Sequence, residues 1–411
     1  MKHIHTAIIG AGQAGLAMSR CLSDRSIQHV VIERGEVANS WRTERWDSLR
    51  LLTPNWQSRL PGFAWSGSDP DGFMNMDGIV RHLDSYARVS RAPVETRTRV
   101  NSVTVQGQRY RVSTDKGDWL CRYVVLANGA CARASVPAFA AELPPHVQHF
   151  TPLSYKNPAQ LPKGGVLIVG ASASGVQLAA EIAAAGHEVI LAAGNHIRVP
   201  RHYRGRDIQW WMDASGLHDV SVREVDDIER VRRLPSMQLV GERSARFIDL
   251  NSLQSAGVEI AGRLVGIRDG RALFSVSLAN ACALSDLKMN RLLAELDDWA
   301  GRHGIDDVQP PERFAPTEVP ATPMLDLDLS GGRIASVIWA TGYRPDFSWL
   351  NLPVFDRKGR LSHQEGRVAP GLYVLGLPFM RRRVSAFIDG VGSDAGAHAD
   401  HIMRTSCRHA A

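Results

Sequence analysis

The stretch TAIIGAGQAGLAMSRCLSDRSIQHVVIER, residues 6–34, decides how the chain folds. An apolar run leads into Gly10, Gly12 and Gly15, a helical apolar pattern follows, and a second apolar run ends at Glu33. This order predicts a strand, a phosphate-binding turn, a helix and a second strand. The helix amino terminus offers N–H groups to a pyrophosphate, and the carboxylate can accept hydrogen bonds from both ribose hydroxyls. The segment therefore predicts a dinucleotide site.

A second segment of the same kind, GGVLIVGASASGVQLAAEIAAAGHEVILAAG, occupies residues 164–194. Gly170 and Gly175 take the places of the first and last glycines of the turn. Ser172 takes the middle place, where a small residue still permits close approach of a phosphate, and Ser174 belongs to the same turn. The chain therefore contains two predicted dinucleotide sites.

The two segments differ where their second strands end. Glu33 lies 23 positions after Gly10, whereas the same count from Gly170 leads to Ala193. A carboxylate repels a ribose 2′-phosphate, while guanidinium groups hold one through charge-assisted hydrogen bonds. We therefore predict FAD in the first site and NADPH in the second, although the nearby arginines could instead form a solvated loop. The arginines that closely follow Ala193 are Arg198, Arg201 and Arg204.

Length and composition favour a cytoplasmic globular protein of two or three domains. The 411 residues are 44% hydrophobic and 22% charged, with a net charge of +6. The five cysteines are far apart and lack the spacing of a disulfide framework or a zinc site, so no metal is predicted. No apolar run reaches the ~18 residues of a membrane helix, and no nucleic-acid-binding module is recognisable. We expect neither a membrane nor a nucleic acid as a partner.

Nucleotide-type patterns return near the carboxyl terminus and predict a discontinuous domain. Residues 336–340 form a predicted strand, and Gly390 precedes a helix whose N–H groups can meet the polar edge of a flavin. We predict an α/β fold with two Rossmann-like dinucleotide-binding domains, each a three-layer ββα arrangement, in which the NADPH domain is inserted into the FAD domain. The predicted bounds are 1–158 and 321–411 for the FAD domain and 159–320 for the NADPH domain.

Several motifs together extend over nearly the whole chain: GAGQAGL, Glu33, SWR at 40–42, LRLLTP at 49–54, GASASG, and ATGYRPD at 340–346. In this order they resemble the class B flavin-dependent monooxygenases, especially the plant YUCCA enzymes and bacterial CzcO-like flavoproteins. The resemblance implies tightly held FAD and NADPH as the hydride donor. It also implies a flavin hydroperoxide that transfers one oxygen atom of O2 to a small organic substrate.

The same resemblance assigns individual residues to the cofactors. Trp41, Leu52 and Thr53 are the candidates nearest to the flavin, and no acid or base is assigned. The expected FAD contacts are Gly10, Gly12, Gln13, Ala14, Gly15, Glu33, Arg34, Trp41, Arg42, Thr53, Val100, Asn128, Gly129, Asp389 and Gly390. The expected NADPH contacts are Gly170, Ser172, Ser174, Gly175, Arg198, Arg201, Thr341 and Gly342.

Two departures from the family pattern bear on the reaction. The fingerprint FxGxxxHxxx, followed by an aromatic residue and a base, should end at Tyr155 and Lys156, but Thr151 replaces its histidine and Val147 its glycine. Leu52 stands where relatives have Asn or His, so a side chain that could hydrogen-bond the hydroperoxide is absent. Two alternatives therefore stay open: an NADPH-dependent flavin oxidase or reductase that produces hydrogen peroxide, and a non-catalytic redox-sensing flavoprotein.

The sequence leaves the substrate and the oligomeric state undetermined. We expect a substrate pocket lined by parts of residues 41–65, 210–211 and 381–387, which are apolar and aromatic with a few positive charges. Residues 283–299 form a predicted amphipathic helix. Its apolar stripe covers either the sheet or a neighbouring subunit, which leaves a homodimer open.

Overall fold

The structure is a computed structural model that describes residues 1–242, 244 and 246–407. Four short 3-10 helices lie at Asn55–Gln57, Ala138–Glu142, Pro158–Gln160 and Val222–Glu224. The α-helices in the described residues are α1 Gln13–Ser23, α2 Asn39–Thr43, α3 Met76–Val89, α4 Ala173–Ala184, α5 Ile208–Ala214, α6 Ile228–Val231, α7 Leu250–Ser255, α8 Leu278–His303 and α9 Ile388–Cys407.

The strands of the same residues form two larger sheets and three small ones. In chain order they are β1 Lys2–Ile9, β2 His29–Ile32, β3 Val94–Glu95, β4 Val100–Gln106, β5 Arg109–Thr114, β6 Trp119–Leu126, β7 Arg133–Ala134, β8 Gln148–Phe150, β9 Gly165–Val169, β10 Val189–Ala192, β11 His202–Tyr203, β12 Arg206–Asp207, β13 Glu259–Ala261, β14 Leu264–Arg268, β15 Arg271–Phe274, β16 Asp326–Asp328, β17 Ile334–Trp339, β18 Tyr343–Arg344, β19 Arg367–Ala369 and β20 Leu372–Val374.

The first sheet is built around β1. This strand pairs in parallel with β2 on one side and with β6 on the other, and the order continues to β3 and β20. The antiparallel hairpin β4–β5 adds to β6. The carboxyl-terminal helix α9 packs against α1, and their buried side chains join the apolar core of this sheet. β20 therefore joins the sheet begun by β1, and α9 packs on its helix layer, so residues 372–407 contribute to the same sheet and core as residues 2–32.

The second sheet has the order β13–β10–β9–β17–β8, and all of its pairings are parallel. Successive side chains of a strand point to opposite faces, so both faces of a covered parallel sheet must be apolar. Val166 and Ile168 of β9 pack towards α4 and α7, whereas Leu167 and Val169 pack towards the antiparallel layer β14–β15–β16. This arrangement confirms the predicted α/β class.

The sheet pairings place the domain boundaries differently from the predicted 158 and 320. β8 and β17 belong to the second sheet, and β16 belongs to its antiparallel layer. The strands of the second sheet and of its antiparallel layer therefore lie between residues 148 and 339. The two chain crossings, β7 and β18, pair with each other through Ala134 and Tyr343. The strand β17 was predicted from the sequence, but β8 and β16 were not, because strands of three residues next to proline-rich connections carry too few side chains to show a period.

Candidate active site and cofactor-binding motifs

The turn between β1 and α1 is a backbone cradle that only glycine can form. Gly10 has a φ of +108°, and a Cβ at that residue would stand 2.5 Å from the carbonyl oxygen of Ala127. A Cβ on Gly15 would stand 1.8 Å from the Gly10 carbonyl oxygen, so α1 could not pack as it does. A Cβ on Gly12 would meet no described atom within 4 Å, which leaves open space in front of α1. The N–H groups that begin this helix belong to Gln13, Ala14 and Gly15.

Glu33 lies beside this cradle at the end of β2. Its Oε2 accepts a hydrogen bond of 2.8 Å from the Ala11 N–H, and its Oε1 accepts one of 3.0 Å from the Gly35 N–H. Each carboxylate oxygen can accept a further hydrogen bond, as the two hydroxyls of a ribose require. The adjacent Arg34 is ion-paired with Glu44. The cradle and the carboxylate therefore fit the phosphates and the ribose of a dinucleotide.

The turn between β9 and α4 repeats the same geometry. Gly170 has a φ of +110°, and a Cβ there would stand 2.4 Å from the carbonyl oxygen of Ala340. A Cβ on Gly175 would stand 1.8 Å from the Gly170 carbonyl oxygen. Ser172 occupies the N-cap position, but its hydroxyl does not cap the helix. The first N–H groups of α4 are consequently available to a phosphate.

Each cradle is closed by a matching corner of the chain. Asn128 follows β6 and donates a hydrogen bond of 2.8 Å to the Asp346 carbonyl. Thr341 follows β17, and its hydroxyl donates one of 2.5 Å to the Ser135 carbonyl. These bonds tie each corner to the opposite chain crossing. Both corners end in a glycine of positive φ beside which no described atom would meet a Cβ within 4 Å: Gly129 and Gly342.

The two sites approach each other where the chain crosses between domains. Tyr343 lies just after the second corner, and its hydroxyl is 3.4 Å from the Oγ of Ser174 in α4. Burial raises the pKa of this tyrosine. Ser174 thus lies at the junction of the second cradle with the crossing strand, and its contact with NADPH stays a prediction.

The segment that the resemblance places near the flavin lies between the domains. Trp41 and Arg42 are in α2, where Arg42 is ion-paired with Asp84 of α3. Leu52 and Thr53 are half-buried, and Leu52 packs against an apolar cluster of the inserted domain. The Leu52 side chain therefore packs between the two domains.

The end of the family fingerprint has a structural role. The Lys156 Nζ donates hydrogen bonds to the carbonyl of Thr43, the last residue of α2, at 2.7 Å and to the carbonyl of Arg45 at 2.8 Å. Tyr155 is fully buried, its hydroxyl has no hydrogen-bond partner in the described part of the chain, and burial raises its pKa. Lys156 thus anchors α2 to the entry of the inserted domain.

The remaining predicted FAD residues have different surroundings. Val100 is half-buried at the start of β4, where it pairs with Thr114. Asp389, in the first turn of α9, accepts hydrogen bonds of 2.7 and 2.5 Å from the Arg59 guanidinium. A Cβ on Gly390 would stand 2.0 Å from the Val384 carbonyl oxygen, so α9 begins in close contact with the preceding loop.

Arg198 and Arg201 do not present free guanidinium groups to a nucleotide. Only 3% of Arg198 and 1% of Arg201 is exposed. The guanidinium of Arg198 is bound by Asp249 and Asp286, each at 2.7 Å, and that of Arg201 by Asp207 at 2.5 Å. Their predicted contact with the 2′-phosphate is corrected for this physical reason: their charges are already neutralised inside the protein.

Sequence reasoning missed Arg263, which lies at the end of the second cradle. A Cβ on Gly194, two residues after β10, would stand 3.2 Å from the Nε of Arg263. Arg263 is exposed, and its guanidinium has no ion pair within the described residues. The parallel pairing of β10 with β13 brings the two residues together although 69 positions separate them. No local signal in the sequence could have revealed this contact.

Comparison with protein families identifies the chain. Residues 7–213, just over half of the 411, match the pyridine nucleotide-disulphide oxidoreductase family. The chain belongs to this family. The match contains both glycine cradles, and it therefore covers the two motifs from which the dinucleotide sites were predicted.

Comparison with individual proteins narrows the family assignment. An uncharacterised CzcO-like oxidoreductase of Geobacillus kaustophilus is 32% identical over 96% of this chain and 97% of its own length. The indole-3-pyruvate monooxygenase YUCCA6 of Arabidopsis thaliana is 29% identical over 97% of this chain and 89% of its own. A flavin-containing monooxygenase from Stenotrophomonas maltophilia has the same fold, with a TM-score of 0.64, 20% identity and coverage of 99% and 100%. The predicted class B flavin monooxygenase family and Rossmann-like fold are confirmed, and the chain is an oxidoreductase of this type.

The cysteines of this oxidoreductase are not arranged for disulfide chemistry. All five are free, and Cys21, Cys121 and Cys282 are buried. Burial raises the pKa of Cys21 and Cys282 to about 11 and that of Cys121 to about 12, so these thiols stay protonated. A redox-active pair needs an accessible thiolate. The disulfide chemistry in the family's name therefore has no visible centre among the described residues.

Two cavities adjoin Arg50 of the segment 49–54. The larger, of about 590 Å³, is lined by residues that include Phe63, Trp65, Met74 and His82. The smaller, of about 470 Å³, shares Arg50 and Phe73 with it and reaches Gly241 of the inserted domain. Of the predicted pocket segments, only residues 41–65 contribute to these cavities.

Residues 1–242, 244 and 246–407 contain neither a metal-ligand cluster nor a helix able to span a membrane. These residues contain no group of three or more His, Cys, Asp or Glu side chains placed to hold a metal ion. None of their helices has both the length and the apolar character needed to cross a membrane.

Proposed function

We propose that the chain is an NADPH- and FAD-dependent monooxygenase that inserts one oxygen atom of O2 into a small organic molecule. The observation that carries the proposal is the chemical difference between two otherwise equal cradles. Glu33 follows the second strand of one cradle, whereas Ala193 takes this place in the other, and the exposed Arg263 lies beside the next residue, Gly194. A carboxylate suits the ribose of FAD, and an arginine suits the 2′-phosphate of NADPH.

In this proposal the chain itself binds and orients both cofactors. The N–H groups of α1 donate hydrogen bonds to the FAD pyrophosphate, which fits in the open space at Gly12, and Glu33 accepts hydrogen bonds from the ribose hydroxyls. Ser172 and the amino terminus of α4 receive the NADPH pyrophosphate. Bound flavin, once reduced, supplies the oxygen chemistry. The packing of Leu52 into the inserted domain helps to exclude water from the space between the cofactors.

Labelled oxygen tests the reaction type. Each turnover should oxidise one NADPH, place one atom of O2 in the product and release the other as water. We expect mass spectrometry of reactions under 18O2 to find one labelled atom per product molecule for at least one compound in a panel of amines, sulfides and 2-oxo acids. Hydrogen peroxide formed in equal amount to the NADPH consumed, without labelled product from any compound, would instead establish the oxidase alternative.

The coenzyme preference should depend on Arg263. We expect Arg263→Ala to raise the KM for NADPH about 10- to 100-fold, because a charge-assisted hydrogen bond contributes about 1.5–3 kcal/mol. The KM for NADH should stay unchanged, since NADH has no 2′-phosphate. Steady-state rates of oxidation of NADPH and of NADH, measured over a range of coenzyme concentrations, give both KM values.

Arg268→Ala is the matched control for this experiment. Arg268 is an exposed arginine of the neighbouring strand β14, so its removal changes the net charge equally without touching Gly194. We expect the control to keep the parent KM for NADPH within about twofold, as for surface substitutions in general. Equal rates with NADPH and NADH in the parent protein would refute the NADPH assignment.

A further inference from the structure

Three consecutive arginines precede α9, and they differ in their partners. Arg382 is ion-paired with Asp219 at 2.7 Å, and Arg381 faces the fully buried Asp394 at 3.8 Å. Arg383 is half-buried, yet its guanidinium has no hydrogen bond or ion pair within the described residues, and its buried Nε is unpartnered. A partly desolvated charge without a partner is unfavourable unless something else binds it. Arg383 is thus the arginine of the three that has no ion pair in the described residues, and the carboxylate of Glu295 acts on its charge only from a longer distance.

A second unpartnered group comes from the inserted domain. His218 is only 3% exposed, and its Nδ1 lies 3.3 Å from the side-chain amide nitrogen of Gln57, which is 2% exposed. With Nδ1 accepting from this amide, the neutral ring carries its proton on Nε2. Burial lowers the pKa of His218, which favours this neutral form. The Nε2 donor and the Gln57 Oε1 acceptor have no partners in the described part of the chain.

These groups belong to segments that the fold holds together. The Arg383 N–H donates to the Val220 carbonyl at 3.1 Å, which fixes the arginine loop against the chain that follows His218. The ring of His218 meets that of Phe387 edge-on, with centroids 5.7 Å apart. Asp213 and Asp389, the nearby carboxylates, are both engaged by Arg59. Asp213 also lies 3.7 Å from the His218 Nδ1, and Glu295 of α8 is the carboxylate whose charge acts on Arg383. Neither of them binds the Arg383 Nε or the His218 Nε2.

The cluster is connected to the flavin motif through the same loop. A Cβ on Gly376 would stand 3.0 Å from the Cβ of Ala14, in the first turn of α1. Seven residues further along the chain is Arg383, and α9 begins five residues after that. A Cβ on Gly392 of this helix would stand 2.9 Å from Pro61, four residues after Gln57. One continuous stretch thus runs from the proposed FAD pyrophosphate site to the unpartnered groups.

We propose that Arg383 and His218 form an anion subsite that binds the carboxylate of the substrate, with Gln57 as the residue that orients His218. This inference rests on the proposed function and adds the substrate class: a small organic acid rather than a neutral amine or sulfide. The guanidinium supplies charge and two N–H donors, and Nε2–H supplies a third donor. A carboxylate can accept all of them and leaves no buried donor unsatisfied.

Binding to the oxidised, FAD-loaded protein tests this subsite without any turnover. Benzoate and benzamide are suitable probes because they have the same shape and differ in charge. By calorimetry or by the change in flavin absorbance, we expect benzoate to bind about 10- to 100-fold more tightly than benzamide. Arg383→Met, which keeps most of the side-chain length, should remove that preference, and His218→Phe should reduce it.

Arg382→Met is the matched control, since it removes a neighbouring arginine whose charge is already paired with Asp219. It should keep the benzoate preference. Each variant is compared at equal FAD content, so that a folding defect is not mistaken for lost binding. Equal affinity for the two probes in the parent, or an undiminished preference in Arg383→Met, would overturn the proposal.

Two further outcomes distinguish a substrate carboxylate from an NADPH phosphate, and a failure of the subsite from a failure of the proposed reaction. If the subsite bound a phosphate of NADPH instead, inorganic phosphate would compete with benzoate and Arg383→Met would weaken NADP⁺ binding, which overturns the substrate assignment. If no compound acquired labelled oxygen while benzoate still bound through Arg383, the proposed monooxygenase reaction would fail but the anion subsite would stand.

Discussion

Replacement of Gly12 by valine is expected to strip FAD from the purified protein while the chain stays folded. Gly12 has φ −85° and ψ −170°, extended values that any residue adopts, and a Cβ there would meet no described atom within 4 Å. The branched side chain would occupy the space that the pyrophosphate needs beside α1. Overpacking costs about 2 kcal/mol, so we expect at least ~30-fold weaker FAD binding.

The measurement is the FAD dissociation constant of the apoprotein, followed by flavin fluorescence, with circular dichroism as the test of folding. Gly266→Val provides the control, because Gly266 lies in β14 and a Cβ there also meets no described atom within 4 Å. The control should retain the parent affinity. A Gly12→Val protein that binds FAD as tightly as the parent would place the flavin elsewhere.

The cradle was predictable from sequence because its requirements are local. Gly10 and Gly15 are five positions apart, and Gly15 is needed for contact with the backbone of Gly10 itself. The contact of Gly10 with Ala127 is distant in the chain, but the turn that places Gly10 there is part of the local pattern. Glu33 closes the same unit after one helix and one strand. The order of apolar runs, glycines and one carboxylate in the sequence is therefore sufficient to predict the geometry of the cradle. The second cradle followed from the same pattern, with Ser172 in the middle place.

The arginines were unpredictable because their partners are distant in the chain. Asp249 and Asp286 are 51 and 88 residues from Arg198, and nothing in the charge pattern near Arg198 indicates that they will meet. Arg263 is placed at Gly194 by a strand pairing that the sequence does not specify locally. Local patterns thus revealed which backbone turn is suited to a phosphate. Ion pairs and strand pairings between distant residues determine which arginine can also contact that phosphate.

Replacement of Arg198 by alanine is expected to destabilise the inserted domain by about 3–5 kcal/mol rather than change the coenzyme preference. Its Nε donates to Asp249 at 2.9 Å, and its Nη1 donates to Asp286 at 2.7 Å and to the Ala315 carbonyl at 2.8 Å. Asp249 caps α7, and Asp286 lies in α8. Without the guanidinium, the buried Asp249 and the partly buried Asp286 lose their counter-charge, and α7 loses its tie to α8.

Urea unfolding followed by circular dichroism measures this loss, with Arg263→Ala as the control of equal charge change. Arg263 is exposed and unpaired in the described residues, so its removal should alter the free energy of unfolding by less than about 0.5 kcal/mol. The two variants should therefore show opposite effects: Arg198→Ala loses stability and keeps the parent KM for NADPH, and Arg263→Ala keeps stability and loses the preference. If Arg198→Ala were stable and bound NADPH weakly, Arg198 would be a nucleotide ligand and its buried ion pairs would not describe the protein in solution.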